Sequence, residues 1–315
     1  MRGIALQRTT ERREAVKTAP IVKWSGSKRS QAEEIVKRFP QEIDTYYEPF
    51  CGGCSVLYRI MQTPEVKVNR YVVSDLNGDL ISLWKEIRDN PLSLSQEYRQ
   101  LWVDFNKKIG RPDSECFEWR KQFFEEIRDE FNRCAAPSYF LFIMRTTTNG
   151  MPRYNREGKF NNSCHFSRPG IEPDSLEKIL IDWSHLLNQC KVEFLCRPYE
   201  MISPESENDL VYLDPPYFNT KGMYYGKIEF DRYFAWLRAL RCRWAMSFDG
   251  RTDKEDFTYA VPDDLYKTHE YLKSGNSSFR RVIGKDRHAN VSESLYLNYE
   301  STPQNKTTIQ QGEFL

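Results

Sequence analysis

Twice between Thr45 and Arg88, a short run of strand-forming residues gives way to a turn and then to helical periodicity. No other feature constrains the fold as much. Thr45-Tyr46-Tyr47-Glu48-Pro49-Phe50 reads as a strand, followed by a glycine turn and a helix through Met61. Tyr71-Val72-Val73-Ser74 repeats the pattern, with Asp75-Leu76-Asn77-Gly78 as the turn and Asp79 to Arg88 as an amphipathic helix. Strands alternating with helices in this way build a parallel sheet with crossover helices. Upstream, Ile21 to Lys28 reads as a short extended piece turning into a helix over Ser30 to Phe39, which Pro40 stops.

From about Pro91 to Gln189 the alternation lapses. Charged helical stretches (Leu94 to Lys108, Phe117 to Cys134, Ser138 to Thr146) surround a loop rich in Gly, Asn and Arg at Asn149 to Asn161. Strands return at Lys191 to Leu195, Leu210 to Leu213, Arg243 to Phe248 and Leu295 to Tyr299. The expected organisation is therefore an α/β domain of residues 20–90 and 190–300, interrupted by a mainly helical domain of residues 91–189. Residues 1–19, charged throughout, read as a flexible extension, and residues 301–315, rich in Thr, Gln and Asn, as a flexible tail.

The chain has 315 residues, a net charge of +1 and no apolar run of membrane-spanning length, so no membrane partner is expected. Its first twenty residues lack the apolar stretch of a signal peptide, and its eight cysteines are scattered as reduced cytosolic thiols would be. A cytoplasmic protein is expected. Near-neutral charge leaves room for local basic patches. Arg145, Arg153, Arg156, Lys159 and Arg168 form one, and Lys273, Arg280, Arg281, Lys285 and Arg287 another. Either could instead be a solvated face. Cys51-Gly52-Gly53-Cys54 is a C-x-x-C without a second pair, and the four histidines show no ligand spacing, so no metal is expected. A redox role for this pair stays open at this point.

Chemistry concentrates at three places. Asp214-Pro215-Pro216-Tyr217 follows the apolar run Leu210 to Leu213, where a buried strand ends and a loop opens. Two prolines make that turn stiff, holding a carboxylate, a backbone carbonyl and an aromatic face in fixed relation. Such a set suits a planar base with an exocyclic amino group; a plain Pro-rich turn is the alternative. Glu48 to Ser55 is a glycine turn between strand and helix, a place where backbone approaches a ligand, or simply a structural βα turn. About twenty residues on, Asp75 ends the next strand and can accept a ribose diol or cap a helix.

Together these features resemble the Dam-type DNA adenine methyltransferases over about Ile21 to Tyr299. The motifs stand in the family's order: Lys23 to Lys28, Glu48 to Gly53, Asp75 to Asn77, Asn149-Gly150-Met151-Pro152-Arg153-Tyr154-Asn155, Gly158 to Asn161, Asp214 to Tyr217 and Glu293 to Tyr299. The resemblance implies a Rossmann-like, doubly wound methyltransferase sheet with an inserted helical DNA-recognition domain, and S-adenosylmethionine as cofactor. It implies that Trp24, Lys28, Phe50, Cys51, Gly52, Gly53 and Asp75 bind that cofactor, which also removes the redox reading of the C-x-x-C. Asp214, with Pro215, Pro216 and Tyr217, would act between the donor and an extruded adenine, methylated at N6. Hairpin 149–161 would contact double-stranded DNA. Arg153, and Lys23 beside the cofactor motif, are the candidate guanine contacts; Arg145, Arg156, Lys159 and Arg168 would lie at phosphates. Met151 and Asn155 belong to the same DNA-contacting set, while Asn149 suits a turn better than a base contact. Where the family has a third glycine this chain has Cys54, from which altered cofactor packing is expected. Ser163 to Ser167 does not look like the family's GATC readers. A monomer or a weak dimer on DNA is expected, with a cognate restriction endonuclease as a conceivable partner. The alternatives are a cytosine-N4 or RNA-adenine methyltransferase, against which the leading Asp argues, and a catalytically silent DNA-binding regulator.

Overall fold

The computed structural model describes residues 20–148, 150, 152–165, 167–216, 228–252, 258, 260–274 and 291–300. Its centre is a seven-stranded sheet built from β1 (Glu42–Glu48), β2 (Lys67–Asp75), β3 (Glu193–Cys196), β4 (Leu210–Leu213), β5 (Arg243–Thr252), β6 (Thr268–Ser274) and β7 (Val291–Leu297). The spatial order is β3-β2-β1-β4-β5-β7-β6. The first five strands are parallel, and β7 runs antiparallel between β5 and β6. This is the expected doubly wound arrangement. The strand order reverses between β1 and β4, so their carboxyl ends open a crevice in which such sheets bind ligands.

Both faces of the sheet are covered, which is why its strands read as continuous apolar runs and not as alternating ones. Successive residues point to opposite sides: Tyr46, Val73, Leu210 and Tyr212 enter one apolar cluster, and Tyr47, Val72, Val211 and Leu213 the other. The second cluster is closed by Tyr233, Phe234 and Leu237 of helix Phe230–Ala239. The first continues without a break into the helices of residues 91–189. It joins the sheet to Phe105, Phe124, Phe140, Phe142, Leu176 and Leu180, all fully buried.

The helices, in chain order, are α1 (Ala32–Val36), α2 (Ser55–Met61), α3 (Gly78–Asp89), α4 (Pro91–Asn106), α5 (Asp113–Cys134), α6 (Pro137–Thr146), α7 (Pro173–Gln189) and α8 (Phe230–Ala239). Their starts follow from sequence: Pro91, Pro137 and Pro173 stand in the first turns of α4, α6 and α7, where a missing N–H costs nothing. Glu172 accepts from the Ser175 N–H as the cap of α7. Helix α7 packs on both α3 and α4, with Trp183 against Trp84 and Tyr58.

The structure departs from expectation in five places. Ile21 to Lys28 forms bends and turns, not an extended strand, and α1 is only five residues long. Helices α7 and α8 were not expected, nor was β6. Its sequence, Thr-His-Glu-Tyr-Leu-Lys-Ser, is polar enough to hide a strand because β6 lies at the sheet edge.

Candidate active site

Asp214 leaves β4 at the crevice and meets Lys28, whose ammonium lies 2.7 Å from Asp214 Oδ1. The same ammonium donates to the Gly26 carbonyl at 3.0 Å and stands 3.7 Å from Glu293 Oε2 on β7. Lys28 is buried, whereas the Asp214 side chain retains 20% exposure, so the carboxylate can be reached from the crevice. Burial pushes the Asp214 pKa up to about 6; Lys28 limits that rise and Glu293 adds to it. Beside it, Glu48 ends β1 fully enclosed and accepts from the Tyr46 hydroxyl at 2.7 Å. Burial raises the Glu48 pKa to about 8, the Tyr46 bond opposing and nearby Asp214 assisting. Enclosure thus raises both acids of the crevice, Glu48 further than Asp214, because Lys28 opposes the rise only at Asp214. Pro215 is buried and Pro216 partly so. Tyr217 lies outside the described residues.

The glycine turn after β1 is shaped by Trp24. Gly52 has φ +42°, and a Cβ there would sit 2.6 Å from Trp24 Nε1; at Gly53 it would sit 3.2 Å from Trp24 Cβ. Glycine is required at the first position both for its left-handed backbone and for the indole lying over it. The Gly52 carbonyl accepts from Trp84 Nε1 at 3.0 Å, tying the turn to α3. Phe50 packs near Tyr199 and Tyr233. Cys54 also lies in the left-handed region, at φ +52°, with its side chain wholly buried. Its backbone thus takes a conformation that favours glycine, while its thiol is turned into the core. Burial raises the Cys51 and Cys54 thiols, the latter to about 11, so neither is poised for thiolate chemistry.

Asp75 closes this turn from the end of β2. Its Oδ2 accepts from Gly52 N–H and its Oδ1 from Asn77 N–H, both at 3.0 Å. Burial raises its pKa, opposed by these backbone donors. The cap of α3 is not Asp75 but Asn77, whose Oδ1 accepts from Leu80 N–H at 3.0 Å. The carboxylate is thus spared the capping role; besides Gly52 and Asn77, the Leu76 N–H also bonds to it, which leaves acceptor capacity for one further hydroxyl.

Around the stretch 149–161, expected as a hairpin, the described residues carry antiparallel bridges Thr147↔Cys164 and Tyr154↔Phe160. Arg153, Asn155, Arg156, Lys159 and Arg168 are exposed. Asn155 Oδ1 is engaged in the turn, accepting from Glu157 and Lys159 N–H, both at 2.9 Å, so only its amide NH2 could serve a base. Gly150 packs so tightly on Lys23 that a Cβ would come within 2.8 Å of the Lys23 carbonyl. Arg145 corrects an expectation: its guanidinium is turned inward and donates to the carbonyls of Pro20 and Ile21 at 2.9 and 3.3 Å. It braces the chain just ahead of Lys23 to Lys28 and faces inward. Lys23, half-buried, donates to the Arg145 carbonyl at 3.1 Å. Burial and then the Arg145 and Arg168 charges lower its pKa to about 8. Asn149 and Met151 lie outside the described residues, as do Arg280, Arg281, Lys285 and Arg287 of the second basic stretch and the two terminal segments.

An acid at the end of β4, a glycine turn after β1 and a carboxylate at the end of β2 thus meet at one switch point, with a basic hairpin alongside. Residues 24–299 match the family described as D12 class N6 adenine-specific DNA methyltransferase. The chain belongs to that family. It is an adenine-specific DNA methyltransferase, its substrate DNA and its target atom adenine N6. It is similar to a type II methyltransferase, M.MjaIII, of Methanocaldococcus jannaschii, with 31% identity over 63% of this chain and 68% of that protein. The DNA adenine methylase of Escherichia coli K12 is 28% identical over 64% of this chain and 66% of its own length. The DNA N-6-adenine-methyltransferase of Escherichia phage P1 is 29% identical over 64% of this chain, but the match spans only 25% of that protein. No helix among the described residues is long and apolar enough to cross a membrane.

In a methyltransferase of this class three further residues stand out that sequence reasoning gave no role. Glu48 opened the motif Glu48 to Gly53 without a role of its own, and its raised pKa follows from enclosure, which no motif records. Glu293 reaches Lys28 from β7, some 265 positions away along the chain (293 − 28). Tyr154 sits in the hairpin but bonds to α3.

Proposed function

We propose that this methyltransferase extrudes a target adenine from duplex DNA and transfers to its N6 the methyl group of S-adenosylmethionine by direct displacement. The observation that carries the reading is the accessible Asp214 carboxylate at the switch point, where contact with Lys28 favours its ionised form. The residues of the crevice fit the donor by their chemistry. Asp75 has acceptor capacity for a ribose hydroxyl, Phe50 and Trp24 offer apolar surface, and the Gly52 turn brings backbone close. When bound, S-adenosylmethionine supplies an electrophilic methyl group on a sulfonium.

The adenine amino lone pair is delocalised into the ring, which makes N6 a poor nucleophile. Asp214 Oδ and the Pro215 carbonyl would each accept one N6–H bond, drawing the nitrogen toward tetrahedral geometry and localising the pair. Positioning and electrostatics then carry the rate. As the N6–C bond forms the C–S bond would break, S-adenosylhomocysteine leaving with that electron pair. The proton lost from N6 would pass by way of Asp214 to solvent. Extruding the base costs a few kcal/mol. Tyr217 would return part of this by stacking, typically about 1–3 kcal/mol per base. Of the basic residues, Arg153 would read guanine and Lys23 a second one, while Arg156, Lys159 and Arg168 would neutralise phosphates. Residues 91–189 would act as the target-recognition unit in a cytoplasmic enzyme, with or without a restriction endonuclease beside it.

Expression in a methylation-deficient bacterium, followed by genome-wide mapping of modified bases, tests this. N6-methyladenine within one short motif is expected. Modified cytosine, or adenine modified only in RNA, would overturn the reading.

A further inference from the structure

We propose that Tyr154 is a positioning residue that ties the DNA-recognition hairpin to the cofactor turns, so that DNA and cofactor strengthen each other's binding. The inference rests on the reading above that Asp75 holds the donor's ribose.

Tyr154 is fixed from two sides. Its ring meets Phe160 edge-on at 5.6 Å, and Phe160 is buried against Phe131 and Phe140 of the helical segment. Asn132 of α5 locks that anchor, accepting from Phe160 N–H at 2.7 Å and donating to its carbonyl at 3.1 Å. These contacts need only a phenyl ring. The hydroxyl does something else: it donates to Asp79 Oδ2 at 2.6 Å and accepts from Asn77 Nδ2 at 3.4 Å, both on the first turn of α3. Asn77 in turn caps α3 and donates its N–H to Asp75 Oδ1. An unbroken run of hydrogen bonds therefore leads from the residue next to Arg153 to the carboxylate expected at the ribose. A second tether runs parallel to it, where Ser25 N–H donates to the Gly150 carbonyl at 3.1 Å, next to Trp24 of the cofactor motif.

The physical consequence is a shared cost of ordering. DNA that immobilises the hairpin narrows the motion left to Tyr154, and through it the motion left to Asn77 and Asp75. The cofactor then binds a site whose conformational freedom has already been surrendered. By linkage the effect is reciprocal, and couplings of this kind are typically about 5–150-fold.

The test uses the full chain, S-adenosylhomocysteine as a probe that supports no turnover, and a short unmethylated duplex carrying the mapped target. Its affinity is measured calorimetrically with and without the duplex. Wild type should bind the probe at least about fivefold more tightly on DNA. Tyr154→Phe keeps the ring and should bind the probe alone as wild type does, with the DNA-induced gain reduced to within about twofold of unity. Asp79→Ala removes the acceptor from the other side and should give the same loss, with no further loss in the double variant. A wild type without coupling would overturn the proposal. So would a Tyr154→Phe variant that keeps its coupling, or one that loses binding of the probe alone as much as binding on DNA. Asp75→Ala separates the two readings: unchanged affinity for the probe alone would remove Asp75 from the cofactor site, while the Tyr154→Phe ratio judges the tie.

Discussion

Two carboxyl groups end adjacent strands, and enclosure has set them apart. In the proposed mechanism Asp214, whose pKa burial pushes up to about 6, accepts an amino hydrogen most strongly when ionised. The rate under kcat/KM conditions for DNA is therefore expected to fall as pH drops through about 6. Lys28→Met should move that limb to higher pH, because the ammonium is what opposes the rise. A pH–rate profile at saturating cofactor checks both; an unmoved limb would mean another group controls it. Glu48 gives a stability prediction. Its folded-state pKa, about 8, lies above the ordinary 4.5. Its linkage contribution is thus complete below pH 4.5 and lost as pH rises through 8. Glu48→Gln should leave the melting temperature nearly unchanged near pH 5 and raise it above pH 8, by about 2–4 °C for each kcal/mol relieved. Thermal unfolding at the two pH values measures it, and destabilisation at high pH would contradict the assignment.

At the scale of elements, the turn after β1 and the hairpin carry separable duties. Gly52→Ala places a Cβ against the Trp24 indole at a left-handed position. S-adenosylhomocysteine binding should weaken by about tenfold, equivalent to ~1.4 kcal/mol, with DNA affinity less affected. Equal loss of both would indicate general unfolding. In the hairpin, Arg153→Ala should cost about 1–3 kcal/mol and relax discrimination at one guanine, whereas Lys159→Ala should weaken all sequences alike and reduce the salt slope by about 1. An unchanged target motif for Arg153→Ala in methylation mapping removes it from the readers. These elements were legible because their chemistry is local: a turn needs its glycines and a buried strand its apolar run. Arg145 was misread because charge along the sequence does not say which way a side chain faces. Its inward turn is decided by carbonyls of Pro20 and Ile21, some 125 residues away. A longer separation, the 265 positions between it and Lys28, hid Glu293. Helices α7 and α8 went unseen beside the more charged stretches, and β6 because an edge strand carries little apolar signal.

On the scale of the whole molecule, the alternation of strands and helices foretold the parallel sheet, its interruption and its return. What it did not convey is that the helices of residues 91–189 share one apolar core with the sheet. That continuity gives the recognition hairpin a rigid base, set against the cofactor turns by Tyr154 and Gly150. Under the proposed mechanism the Asp214 carboxylate receives a base turned out of the duplex beside the methyl donor. Transfer of tritiated methyl from S-adenosylmethionine to unmethylated duplex DNA measures this most directly, with Asp214→Ala alongside wild type. The label should appear in N6-methyladenine, and the variant should be slower by about 10²–10³-fold in kcat while still binding DNA. Equal labelling by the two proteins, or label recovered in cytosine, would contradict the account.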